Sequence, residues 1–390
     1  MFHTYKRLVL PVYFPTLLTA IVQSALAILL PLYMLELGHS IATASYIVAF
    51  RGIGLLLTDV PAGIFANRFG DKPSMLFGCF CSMAAMGLLG FTDDKGLIIF
   101  ASILSGSSVS FTLLGRTSYL ADSVINAERG RAIALMAGLQ RAGALLGPLL
   151  FGAIAKYLSY QAAFMIMSVL VTAAFLSISL FAIHHETTHR KKVPVAAMFG
   201  VVTAYRKLLL SIGLGGLGLM MLRSARILLF PVFGHTLGMD EVMIGLLFSL
   251  SSVVDMLMFY PAGQVMDING RKWTAVPGTV LLSVSVAVLP FVPSITGMFL
   301  FAIISGLGNG ITTGVLLTIG SDIAPDTERG QFLGVWRLLL DAGHTASPLI
   351  VGSLSEVASL SLATLSISIV GMTGAVIFAL LMKETLLQKE

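Results

Sequence analysis

The chain has 390 residues, 56% of them hydrophobic and 11% charged, with a mean hydropathy of +0.93. Globular domains carry roughly a quarter charged residues. A soluble or disordered protein is therefore excluded, and so, despite a net charge of +5, is a nucleic-acid binder. The composition is that of an integral membrane protein.

Crossing ~30 Å of hydrocarbon takes about 20 apolar residues. Such runs occur at 8–35, 41–66, 73–92, 96–121, 131–156, 160–183, 207–234, 242–266, 273–293, 295–321, 331–355 and 360–382. The first follows Lys6 and Arg7 but is too long for a signal peptide, so it reads as a retained anchor. Turn residues separate the runs: Leu37 to His39, Asn67 to Pro73, Thr92 to Gly96, Asn126 to Gly130, and Asn269-Gly270. Barrel strands would alternate polar and apolar residues over ~10 positions, so the spans are helices. An all-α membrane protein of twelve transmembrane helices is expected. Cys79 and Cys81, two apart in one apolar run, give no disulfide framework. No HExxH, CxxC or GxxxxGK[ST] motif is present, so neither a metal site, a cofactor nor an enzyme active site is expected.

Lysines and arginines in the short loops report orientation. Lys6, Arg7, Arg68, Lys72, Arg129, Arg131, Arg190, Lys191, Lys192, Arg206, Lys207, Arg271, Lys272, Arg329, Lys383 and Lys389 fall on one side. Lys95 and Lys156 fall on the other. Sixteen against two places both termini in the cytoplasm. A bacterial inner (plasma) membrane is the expected location. The one long connection, 184–206, divides an N-terminal half (1–183) from a C-terminal half (207–390). Its Pro194 to Tyr205 stretch reads either as an amphipathic helix on the inner leaflet or as plain linker.

Shifting the chain by 200 positions brings the halves into register. Pro61-Ala62-Gly63 falls on Pro261-Ala262-Gly263, and Gly70 and Lys72 fall on Gly270 and Lys272. From 122 to 152, ten of 31 positions are identical to their mates, among them Asp122, Glu128, Arg129, Gly130, Gly143, Pro148 and Gly152. About two or three would follow from composition. Two parallel six-helix repeats with a substrate site near the midplane are a transporter architecture.

The segment Gly63-Ile64-Phe65-Ala66-Asn67-Arg68-Phe69-Gly70-Asp71-Lys72 resembles the loop signature of the major facilitator superfamily. Its echo from Gly263 through Asp267, Gly270 and Arg271 to Lys272 resembles the same motif. Arg116 resembles the family's helix-4 arginine. Gly138, Gly143, Gly147-Pro148 and Gly152 resemble the helix-5 motif of its proton-driven drug antiporters. The chain departs from the pattern at Asn67, where aspartate is usual, at Ile268, where arginine is usual, and at Phe151, where glycine is usual. The resemblance implies rocking of two six-helix halves, with the 63–72 and 263–272 motifs in gating.

Six arginines fall inside the spans (Arg51, Arg116, Arg141, Arg223, Arg226 and Arg337) with three carboxylates, Asp59, Asp255 and Asp341. His344 lies one turn from Asp341. A lipid-facing arginine at the midplane costs at least ~2.5–3.5 kcal/mol, so these residues are expected to face a cavity or a partner. Depth along the helices, with the helix pairing that the resemblance implies, matches Arg141 with Asp255 and Arg51 with Asp341. Asp341, Asp255, Arg141, Arg51, Arg337 and His344 are the candidates for proton coupling, against the alternative of fixed structural pairs. Asp59 and Arg116 read more readily as a static pair, though both join the substrate-binding candidates. Arg223 and Arg226 share a face and form a candidate anion clamp, with a snorkelling Arg226 as the alternative. Tyr33, with Tyr13, Phe14 and Tyr46, is a candidate pocket lining or a packing residue.

These residues point to a secondary active transporter exporting a small amphipathic compound against protons, and the positive surplus favours an anionic one. The expected partners are that small molecule, protons and the lipid bilayer, with no nucleic acid, in a monomer. Import of organic anions such as carboxylates or phosphorylated metabolites, and lipid or lysolipid transport, are the alternatives. A transport-inactive receptor or scaffold would have no use for charges in the spans.

Overall fold

The computed structural model describes residues 7–183 and 195–385. Lys6, Arg190, Lys191, Lys192 and Lys389 of the charge count, and residues 184–194 of the linker, lie outside the described residues. Among the described residues the chain is helical, with no strand. The first half comprises α1 (Phe14–Glu36), α2 (Ile41–Phe69), α3 (Asp71–Phe91), α4 (Lys95–Ser123), α5 (Asn126–Tyr157) and α6 (Tyr160–Phe181). A linker helix α7 (Val195–Ala204) follows. Then come α8 (Leu214–Thr236), α9 (Glu241–Ile268), α10 (Lys272–Val288), α11 (Ile295–Ile311), α12 (Val315–Ile323), α13 (Arg329–Val357) and α14 (Leu360–Leu381). Among the described residues, eleven helical stretches are long and apolar enough to cross a membrane, α11 and α12 counting as one. The remaining long helix, α13, has 29 residues but carries Arg337, Asp341, His344 and Glu356, which lower its apolarity.

Three features differ from the sequence reading. The tenth span is not continuous: it breaks at Thr312-Thr313-Gly314, where Gly314 takes a left-handed φ of +77°. Glycine adopts that conformation without a Cβ clash, and two β-branched threonines before it disfavour helix. The 63–72 motif is mostly not a loop. Helix α2 runs to Phe69, Gly70 alone turns the chain at φ +98°, and Asp71 opens α3. Gly270 turns the second copy at φ +113°. Finally, α7 is not amphipathic: VAAMFGVVTA has no charged residue, and the helix packs on α13.

The chain forms two compact units, one holding Met1–His39, Ile47–Lys192 and Met239–Ser249, the other Ser40–Tyr46, Val193–Gly238 and Leu250–Glu390. Within the first, α1 packs on α5 and α6, and α3 on α4 and α6. Within the second, α8 packs on α13 and α14, and α10 on α11 and α14. The second set is the first shifted by one repeat. Gly106 of α4 abuts the backbone of Arg51, and its mate Gly306 of α11 abuts Ser251, the repeat-mate of Arg51. Serine and aspartate N-caps recur too: Asp94 and Ser294 accept from Leu97 and Gly297, and Ser159 and Ser359 from Ala162 and Leu362. A capping side chain meets an amide that the first helical turn leaves without a partner.

The helix-5 motif has a packing cause. Gly143 and Gly147 face Ala20, Ile21 and Ser24 of α1 so closely that any Cβ would overlap α1. Ser24 donates to the Gly143 carbonyl at 2.8 Å. Gly152 abuts the Glu241 carbonyl, while Gly138 has nothing within reach. Gly147→Ala is therefore expected to destabilise the protein by about 1–3 kcal/mol through overpacking, and Gly138→Ala to leave stability unchanged or slightly raised. Thermal unfolding of the two purified variants beside the parent checks this; equal midpoints would refute it.

Candidate functional site

In the first unit, three helices bring a polar chain together. Arg51 of α2 donates through Nη2 to Gln23 Oε1 of α1, and Gln23 Nε2 donates to Ser108 Oγ of α4 at 3.2 Å. A neutral amide thus holds the guanidinium, which keeps its charge. Gln23 was not singled out from sequence, because a lone glutamine in an apolar run carries no charge signal. Asp59 accepts from Ser110 Oγ at 2.8 Å rather than pairing with Arg116. Arg116 stands six residues beyond Ser110, about 9 Å further along α4, which is too far for that pair. Arg141 is half-buried on α5. Tyr33 is a packed residue: it is 1% exposed, donates to the Thr92 carbonyl and to Asp93, and meets the rings of Tyr160 and Phe164. It lines no pocket.

In the second unit, Arg223 and Arg226 are held by different helices. Arg223 Nη2 donates to the Thr312 carbonyl at 2.6 Å and to its hydroxyl at 2.9 Å, at the end of α11. Arg226 Nη1 donates to Ser251 Oγ of α9 at 2.7 Å. Arg226 is 6% exposed, so it does not snorkel. The two arginines of the candidate clamp are thus anchored on different helices. Just past the break, Thr313 donates to Asp255 Oδ1 at 3.2 Å, and Asp255 also acts electrostatically on Arg226. A broken span therefore sits between an arginine, which meets the carbonyl end of α11, and a carboxylate. Helix ends that coordinate charge at span breaks are a recurring binding device in transporters. The stretch Gly308-Asn309-Gly310-Ile311-Thr312-Thr313-Gly314 signals such a break, although its hydropathy reads as continuous span.

One turn apart on α13, Arg337 Nε and Asp341 Oδ2 form an ion pair at 3.3 Å. The adjacent His344 accepts through its carbonyl from Ser224 of α8 at 2.7 Å. The pairings expected for Arg51 with Asp341 and for Arg141 with Asp255 join residues of different units.

The two motif copies close differently. In the first, Arg68 lies over the Phe69 ring at 5.3 Å, and Asp71 is buried at the start of α3. Lys72 Nζ donates to the Ser179 and Ala182 carbonyls at 2.9 and 2.7 Å, meeting the carbonyl end of α6. In the second, Arg271 Nε pairs with Asp322 at 2.9 Å. Glu384 accepts from the Arg271 and Lys272 amides at 2.8 and 3.2 Å, at the start of α10. Asp322, outside the motif, supplies the carboxylate that Arg271 meets.

At the opposite helix ends Lys156 pairs with Asp240 at 2.6 Å, and Tyr160 donates to Glu241 at 2.8 Å. The Lys156 hydrogen bond, helped by the Met243 amide, holds the Asp240 carboxyl below its usual range. Because the folded value is depressed, this stabilisation is complete above the usual carboxylate range and is lost as pH falls through the lowered value. It is constant near neutrality, and solvent screens so exposed a pair. Asp240 is therefore a fixed surface tie, unsuited to respond to a proton gradient.

Comparison with known proteins places these features. The model of the Major Facilitator Superfamily matches residues 12–222 and 212–389. The chain is 24% identical over 299 residues to the multidrug resistance protein MdtH of Enterobacter sp. (strain 638), covering 75% of this chain and 71% of that one. Its fold is similar to that of the nucleoside transporter NupG (TM-score 0.80, 14% identity, 97% of this chain and 100% of that one). It is also similar to that of a POT family transporter crystallised with 5-aminolevulinic acid (TM-score 0.78, 12% identity, 94% of each chain).

Because Arg223 meets both the carbonyl and the hydroxyl of Thr312, the two residues are expected to contribute unequally. Arg223→Met removes a charged hydrogen bond and should destabilise the fold by about 1.5–3 kcal/mol, while Thr312→Val, which spares the carbonyl bond, should cost about 0.5–1.5 kcal/mol. Denaturation midpoints of both variants test this ordering, and a larger loss for Thr312→Val would contradict it.

Proposed function

Since the chain belongs to the major facilitator superfamily, and is thus a multi-pass membrane transporter and not an enzyme, we propose that it works by alternating access, as a proton-coupled exporter of a small amphipathic organic compound, an anionic one by preference. The Arg337–Asp341 pair carries the reading. Protonating Asp341 removes the charge that offsets Arg337. A proton thereby shifts the balance between conformations that solvate this pair differently. The multidrug resistance relative supports the outward direction. Six span arginines against three carboxylates support an anionic substrate over a cationic one. The chain sits in a bacterial inner membrane with both termini cytoplasmic.

Proteoliposomes with an imposed pH gradient test the coupling. Asp341→Asn is expected to abolish uphill transport while downhill exchange remains measurable; uphill transport equal to the parent's would remove Asp341 from the mechanism. Orientation is tested separately, in a Cys79→Ser/Cys81→Ser background. A cysteine at Lys95 should label from outside intact cells, and cysteines at Lys72 or Lys272 only after the membrane is opened. The reverse pattern would invert the topology.

A further inference from the structure

Both halves enter their first helix through a π turn at the same repeat position, Val9–Tyr13 and Leu209–Gly213. The helices that follow expose similar stripes. On α8 the part-exposed positions are Leu217, Met220, Arg223 and Ile227, three or four apart, and 228–234 are buried. On α1 they are 17–20, 23, 24 and 27, and 28–35 are buried. Each stripe thus ends at one repeat position, 27 or 227, near the middle of its span. Hydrocarbon borders a lipid-facing helix along its whole length. A stripe that stops midway and carries polar side chains is instead reached by water from one side, here the side that the loop charges mark as cytoplasmic. One turn before each blind end stands a polar residue, Gln23 or its mate Arg223.

At Gln23 the stripe meets a cation without a counter-charge. Arg51 lies ten residues into α2, about 15 Å, at mid-depth of a ~30 Å core, and is only half-buried. Among the described residues its acceptors are the Gln23 side-chain oxygen and, at 3.4 Å, the Gln23 carbonyl, both through Nη2. Nη1 meets no acceptor among them, and Nε is buried and unmet. Asp59, on the same helix, stands about 12 Å further along and accepts from Ser110. Gln23 Nε2 is anchored on Ser108 at 3.2 Å. A neutral amide is a replaceable partner, because a carboxylate in its place makes a charged, two-pronged bond to the guanidinium. It also offsets the cost of an unbalanced cation. We propose that Arg51 and Gln23 form the head-group subsite for the transported anion, and that Gln23 sets its charge preference. The carboxylate displaces Gln23 Oε1 and accepts from Nη2 and Nη1 of Arg51. The head need not be enclosed, since the subsite opens along α1, where an apolar tail lies against Ala20 and Leu17. A cationic head meets only the guanidinium. This subsite rests on the export reading above and names the residues that select its substrate.

Equilibrium binding of radiolabelled decanoate to the purified full-length protein tests this near neutral pH, with decanol and decyltrimethylammonium as uncharged and cationic competitors. Saturable binding that neither competitor displaces is expected. Gln23→Glu gives Arg51 a resident carboxylate and should weaken decanoate binding at least about tenfold, the lower edge of a charged hydrogen bond's worth. The added ion pair should let this variant unfold no earlier than the parent on heating. Gln23→Leu removes the placeholder and should bind decanoate at least as tightly as the parent, which a purely structural glutamine would not give. Absence of saturable binding, displacement by either competitor, parental affinity in Gln23→Glu or weakened binding in Gln23→Leu would overturn the subsite. The two readings fail separately. Binding as expected with no uphill movement of decanoate under a pH gradient would sink the proton coupling and leave the subsite standing. Gradient-driven transport equal in Gln23→Glu and the parent would sink the subsite and leave the coupling.

Discussion

The constraint on which this structure turns is the cost of placing arginine where water is scarce. In hydrocarbon a guanidinium needs donors met by protein, and the spans supply neutral acceptors beside their few carboxylates. Gln23 serves Arg51, the Thr312 carbonyl and hydroxyl serve Arg223, and Ser251 serves Arg226. Each of these acceptors sits on another helix, so these three guanidiniums each tie two helices together. For them, meeting an acceptor and assembling the unit are one operation.

Repetition explains how one solution was reached twice and where the copies parted. The glycine that lets α4 approach α2 at Arg51 has its mate in α11 against α9 at Ser251. There the backbone contact is preserved while the side chain changes from a cation to a hydroxyl, and the cation of the second half enters from α8 as Arg226. Helix α4 is continuous where its mate is broken at 312–314. The π turns need no proline, since Leu209–Gly213 forms one without the Pro11 of the first copy. Shared backbone with exchanged side chains lets two similar bundles carry different chemistry.

Much of this was legible in sequence because hydropathy and glycine placement act locally. Span positions, the repeat offset and the turns at Gly70 and Gly270 follow from residues within a few positions of each feature. Partners were less legible, since they depend on side chains from distant helices. The fork expected of Arg223 and Arg226 assumed that two residues on one helical face act together. Long guanidinium arms reach different neighbours, α11 and α9, and the face alone does not choose between them. Tyr33 was a candidate pocket residue for want of a visible partner, and Asp93, which holds its hydroxyl, lies 60 residues away. The pair on α13 was the readable exception, because Arg337 and Asp341 are one turn apart and their contact is written in the spacing itself.

The choice of neutral acceptors also bears on where a proton can act. Arginine stays protonated in proteins, so a guanidinium held by an amide, a hydroxyl or a carbonyl is a fixed charge throughout a transport cycle. Had each arginine been matched by a carboxylate, titration of any pair would alter the field, and the response would be spread across the spans. With six arginines and three carboxylates, charge can change at few positions. Asp59 is tied to a serine in the first unit. Asp255 adjoins the break in the tenth span, and Asp341 adjoins Arg337. The two span carboxylates of the second unit thus lie beside its broken helix and on its most polar one. A constant positive field and a few switchable negative charges are what the proton-driven anion export proposed above would require.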